Sequence, residues 1–171
     1  IDNGITILDN IINCFQQISA IDDVVLGIAN GVENDAFVQY ANNNDIQYIR
    51  GNEEDVLERL IKCGDISNAT EILRTTSESP FPYFDFIDSA WGQHIKQGND
   101  GTFLDNVIDG CGFEILTLDA LKKSESERSC VQEVAPAEVH KKSVYSANNI
   151  ANNFHRSRWL LMVVVAVLFC A

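Results

Sequence analysis

The unbroken apolar run Val24-Val25-Leu26-Gly27-Ile28-Ala29 constrains the fold more than any other stretch of the chain. A strand with one wet face alternates apolar and polar residues, whereas a strand without alternation has to be covered on both faces. Asp22-Asp23 before the run and Asn30-Gly31 after it limit it to strand length. On its N-terminal side, Ile5, Leu8, Ile11, Ile12, Phe15 and Ile18 fall at three- and four-residue steps, the spacing of an amphipathic helix over Ile5–Ile18. The chain therefore needs helices packed on both sides of a sheet.

The rest of the first 125 residues continues the alternation. Asn34 or Asp35 can cap a second helix running to Asn43, with Phe37, Val38, Tyr40 and Ala41 on its buried side. Ile46–Ile49 reads as a second strand ending at Arg50-Gly51, and Asn52 as the cap of a third helix over Glu53–Cys63. Ala69–Leu73 is a third strand, and Tyr83–Lys96 a fourth helix with Phe84, Ile87, Trp91 and Ile95 on one face. Runs at Thr102–Ile108 and Gly112–Leu116 follow, then a short helix at Leu118–Lys122. Helix and strand in turn predict an α/β chain with a mostly parallel sheet and right-handed crossovers. Because a doubly wound domain normally opens on a strand whose following loop grips phosphate, a chain that opens on a helix is expected to be N-terminally truncated.

Charge and cysteine usage exclude several classes of function. Residues 1–125 carry 22 acids and 7 Lys/Arg, and residues 126–171 carry 3 acids and 5 Lys/Arg. Such an acidic body lacks the basic footprint of a duplex nucleic-acid binder, although a divalent cation would let it hold a nucleotide. Cys14, Cys63, Cys111, Cys130 and Cys170 are widely spaced and form no CxxC, so no zinc site of ordinary spacing is expected, and the body reads as reduced and cytoplasmic. No basic region followed by an apolar run marks a signal peptide at the start of the sequence.

The third strand delivers the chemistry-bearing loop. Arg74, Thr75, Thr76, Ser77, Glu78, Ser79 and Pro80 place a cation, hydroxyls and a carboxylate just past a strand end, where open α/β sheets bind ligands. Glu78 can hold Mg²⁺, since a hard cation takes oxygen ligands and arrives with substrate phosphates. Arg50, at the end of the neighbouring strand, is placed on the same edge, and it can equally form a surface pair with Glu53 or Glu54. Asp55 reads as a first-turn helix acid. His94, on a polar helix face, reads as exposed, and neither it nor His140 or His155 has a partner for a hydrolase triad.

The stretches DDVVLGIA, IQYIRGNEEDVLERL and ATEILRTTSESPF together resemble the cytidylyltransferase family, in its spore coat polysaccharide and acylneuraminate (CMP-sugar) synthetase branch. The resemblance runs from about Gly4 to Leu121. It implies a three-layer α/β/α Rossmann-like sandwich of nucleotide-diphospho-sugar transferase type. It also implies Mg²⁺-dependent transfer of a cytidylyl group from CTP to a sugar, with pyrophosphate released. Arg50, Gly51, Arg74, Thr76 and Ser77 become the nucleotide-binding candidates, and Glu78 and Glu114 the metal candidates. No nucleic-acid partner and no membrane are expected, and a homodimer is open. The family's triphosphate loop would lie before Ile1, so the chain can instead be a non-catalytic nucleotide-binding or interaction module.

Residues 126–171 form a second region by composition. Ser126–Asn153 is polar without a sustained period, and His155–Arg158 then leads into 13 uncharged residues, WLLMVVVAVLFCA. A spanning helix needs about 20 apolar residues, which this tail does not reach. A tail anchor on an acidic α/β head, a buried strand and non-native sequence remain its three readings.

Overall fold

A computed structural model describes residues 4–77, 79, 81–104, 107–108, 111–131 and 162–168. The helices are α1 (Ile7–Phe15), α2 (Asp35–Asn43), α3 (Val56–Ser67), α4 (Ile87–Gln97) and α5 (Leu118–Val131). The strands are β1 (Asp23–Ala29), β2 (Gln47–Gly51), β3 (Glu71–Thr76), β4 (Gly101–Phe103), β5 (Glu114–Thr117) and β6 (Met162–Leu168). They form one sheet in the order β2-β1-β6-β3-β5-β4.

Side-chain alternation along the strands divides the core in two. Val24, Leu26 and Ile28 of β1, with Leu73 of β3 and Ile115 of β5, pack under α1, α2 and α4. Val25, Ile72 and Leu116, the neighbours of those residues, pack under α3 and α5. The apolar run thus supplies both interior layers, and the three-layer α/β/α sandwich expected from it is what forms. The connection β1–α2–β2 leads toward one edge of the sheet, and β2–α3–β3 returns past β1. Their helices lie on opposite faces, as a constant right-handed crossover requires.

β1, β2, β3 and β4 run in one direction, while β5 and β6 run against them. The parallel ladder is β1–β2, and β6 sits antiparallel between β1 and β3, pairing Gly27 with Val163 on one side and Thr76 with the same residue on the other. Met162–Leu168 of the uncharged tail is therefore a central strand here, and its all-apolar sequence suits a position covered on both faces. Among the described residues no helix is long and apolar enough to cross a membrane. For Met162–Leu168 the strand reading of the tail is the one that holds.

Caps set the helix boundaries. Thr6 and Asp9 form a reciprocal capping box at α1, Thr6 Oγ1 accepting from the Asp9 N–H at 3.0 Å and Asp9 Oδ2 accepting from the Thr6 N–H at 2.7 Å. The third helix begins later than the sequence suggests. Asn52 Oδ1 accepts from the Glu54 N–H at 3.0 Å and so closes a turn, while Asp55 Oδ1 accepts from the Glu58 N–H at 3.0 Å and caps α3.

Candidate functional site

β1 and β3 end on the same edge, and their connections lead in opposite directions along the strand order, to β2 and to β4. That is the switch-point crevice where α/β sheets hold ligands. Three segments border it: the β1–α2 loop from Asn30, the end of β2 at Arg50-Gly51, and the β3 loop from Thr76.

The β1–α2 loop is held by a glycine-only backbone conformation and by hydrogen bonds from β2. Gly31 has φ 123° and ψ 147°, a region open essentially to glycine alone. Arg50 fixes the same loop, donating through Nη1 to Asp35 Oδ1 at 2.8 Å and through Nη2 to the carbonyls of Gly31 and, at 3.4 Å, Ala29. The Asn30 N–H donates to the Gly51 carbonyl at 2.8 Å. Gly31→Ala should cost about 1–3 kcal/mol through backbone strain. Urea unfolding would check it, with Val32→Ala, an exposed neighbour, near zero.

Arg50 and Arg74 do not converge. Arg50 lies on the α2 face with Tyr48, and pairs with Asp35 rather than with Glu53 or Glu54. Arg74 alternates with Leu73 onto the α3/α5 face, where Nη1 donates to Glu114 Oε2 at 2.7 Å. One nucleotide-binding candidate and one metal candidate are thus partners of each other, set opposite one another across the β3–β5 ladder. The expectation of a single cationic cluster at the edge is corrected: strand alternation puts the two guanidinium groups on opposite faces of the sheet.

Gly51 makes a close approach to the stem of Arg59, since a Cβ there would lie 2.7 Å from Arg59 Cγ. Arg59, fully buried on α3, donates to the Glu53 carbonyl at 3.2 Å. Thr76 Oγ1 and Ser79 Oγ lie 2.9 Å apart, and the Ser79 N–H donates to the Thr76 carbonyl, so this loop turns back on itself. Ser77 is half-buried and lines a cavity of about 490 Å³ between the starts of α1 and α2. Glu78 lies outside the described residues.

Asp55, beyond capping α3, accepts from Arg128 Nη2 of α5 at 2.6 Å. Burial pushes its carboxyl up, but the Arg128 and Glu58 N–H donors outweigh that and hold it below the ordinary value of 3.8. A lowered carboxyl stabilises the fold above its unfolded pKa and is lost as the pH falls through the folded one. Asp55→Asn should therefore destabilise at neutral pH and show less loss between pH 5 and pH 2 than the parent, measured by thermal unfolding across that range.

His94 was expected on the surface and is buried instead. Its Nδ1 lies 2.9 Å from Thr102 Oγ1 and its Nε2 3.1 Å from Glu71 Oε2, with the ring stacked on Trp91. Glu71 comes from β3, well before α4, and Thr102 from β4 just after it, so the helix pattern alone gave no sign of either. The cluster ties α4 to the amino end of β3, at the far edge from the crevice.

Among the described residues no group of three or more His, Cys, Asp or Glu could hold a metal ion. Glu114 gives one oxygen to Arg74. These residues by themselves do not build a Mg²⁺ cage.

No protein-family model matches the chain. The spore coat polysaccharide biosynthesis protein SpsF of Bacillus subtilis is 26% identical over 100 residues, covering 58% of this chain and 42% of that protein. An uncharacterized protein of Methanocaldococcus jannaschii is 27% identical over 118 residues, covering 69% of this chain and 49% of the relative. A solved cytidylyltransferase from Leptospira borgpetersenii serovar Hardjo-bovis superposes with a TM-score of 0.61 at 22% identity, over 72% of this chain and 54% of that one. The chain is similar in fold to a solved cytidylyltransferase. At that identity the structural likeness speaks for the fold, and the sequence likeness to SpsF joins it to the family resemblance read from the residues. The chain spans about half the length of the curated relatives it matches.

Proposed function

We propose that this protein transfers a cytidylyl group from CTP to a sugar. The observation that carries the reading is the switch-point crevice at the ends of β1 and β3, in a chain with cytidylyltransferase likeness. In such a transfer a sugar oxygen attacks the α-phosphorus, a new O–P bond forms, and the bond to the β-phosphate breaks with pyrophosphate as leaving group. The protein's share is positioning and charge stabilisation. In this reading Arg50 acts as a positioning residue by holding the β1–α2 loop, and Thr76 and Ser77 border the nucleotide. Mg²⁺ would neutralise phosphate charge, entering with the triphosphate and held by Glu78 rather than by a preformed cage.

Arg50 and Arg74 each have a carboxylate partner, which favours a second reading, a non-catalytic nucleotide-binding module. Pyrophosphate release from CTP, Mg²⁺ and a panel of sugars separates the two. The first reading expects sugar-dependent release that Glu78→Ala lowers by about a hundredfold or more, the scale of losing one charge-stabilising group. Nucleotide binding without release by a chain of the relatives' full length would establish the second.

A further inference from the structure

The 490 Å³ cavity has the size of a small-molecule site and is lined in part by Ser77 of the β3 loop, which also borders the crevice. Its walls are Ile7 and Leu8 of α1, Ala36 and Phe37 of α2, and the hydroxyl-bearing Tyr40 and Ser77, with Thr6 at the rim. Among the described residues no Lys or Arg lines it. Its hydrogen-bonding capacity is small and mostly spent. Thr6 Oγ1 donates to Asp9 Oδ2 at 2.6 Å and accepts from the Asp9 N–H, and the Tyr40 hydroxyl donates to Asp9 Oδ1 at 2.6 Å. Burial and the Asp9 carboxylate both push the Tyr40 phenol well above its ordinary value, so it stays a neutral donor to Asp9. Ser77 Oγ makes no hydrogen bond among the described residues.

Among the described side chains a phosphate in this cavity would meet no cation, and the hydrogen-bonding edge of a base would bury several polar atoms against one uncommitted hydroxyl, that of Ser77. An uncharged aliphatic or aryl group with a single polar atom meets neither penalty. We infer that this cavity is a binding site for such an apolar group, with Ser77 Oγ taking its one polar atom. The inference rests on the nucleotidyl-transfer reading only in assigning that group to the acceptor molecule, since Ser77 of the β3 loop lines the cavity and borders the crevice.

The test uses the full chain and benzyl alcohol as probe, followed by amide NMR shifts, with cytidine and inorganic pyrophosphate as competitors. Benzyl alcohol should shift Ile7, Phe37 and Ser77, and neither competitor should displace it. Ala36→Trp, on the exposed side of α2, should fill the mouth and weaken the probe at least about tenfold, which is about 1.4 kcal/mol. Ser77→Ala should weaken benzyl alcohol about threefold and leave toluene unchanged, as loss of one hydrogen bond predicts. Displacement by cytidine, or a folded Ser77→Ala protein that binds benzyl alcohol as the parent does, would overturn the assignment. No nucleotide turnover enters these readouts, so loss of the enzymatic reading would leave the cavity result standing, and the reverse holds too.

Discussion

A chain ending at residue 161 is expected to lose cooperative unfolding altogether. Without Met162–Leu168, β1 and β3 each lose the neighbour that accepts and donates along their inner edge. The remaining strands would fall into a β2-β1 pair and a β3-β5-β4 group, with a slot one strand wide between them. The helices over that slot would cover open backbone rather than a sheet, and unpaired buried N–H and C=O groups cost as much as lost hydrogen bonds. Such a loss exceeds the whole stability of a typical domain, about 5–15 kcal/mol. Circular dichroism with urea would show helix content but no sigmoidal transition. A sharp two-state transition in the truncated chain would mean that the sheet closes without β6.

Glu114→Ala should be the most damaging single change at the carboxyl edge, at about 3 kcal/mol. Arg74 is only 7% exposed, and Glu114 is the carboxylate it donates to. Arg59 lies close enough for the two guanidinium groups to disfavour each other's charge. Removing the acid therefore leaves adjoining buried cations with less to balance them. Arg74→Ala should cost less, because Glu114 at 22% exposure can reach water. Replacing both, as Arg74→Met with Glu114→Leu, should recover most of the loss, since apolar isosteres of a buried pair are often neutral or better. Urea midpoints for the three variants give the double-mutant cycle, and equal losses for both single variants with no recovery in the double would contradict this account.

The sandwich was legible because its signals are local. The run at Val24–Ala29 dictated a doubly covered strand, and the helical steps over Ile5–Ile18 and Val56–Ile61 identified the covering layers. Boundaries slipped where two residues could serve as a cap, as with Asn52 and Asp55. The site was less legible because its contacts are long-range. Nothing near Arg74 in sequence points to Glu114, and nothing near His94 points to Glu71 or Thr102. Residue type and strand ends placed Arg50 and Arg74 on the correct edge, but alternation, which decides the face, separated them. The apolar tail was ambiguous for a different reason: its length falls short of a membrane span, but periodicity alone does not say that a short uncharged run is a strand, which strand pairing does for Met162–Leu168.

The position of β6 also governs when the sheet can be completed during synthesis. Its two ladder partners leave the ribosome long before it does, so β1 and β3 must wait with facing edges unfilled until the strand between them arrives. Pairings of such wide sequence separation are slow to form, and exposed strand edges are what aggregation pathways use. Nascent chains of this protein should therefore rely on holdase chaperones late in translation, well after the helices have emerged.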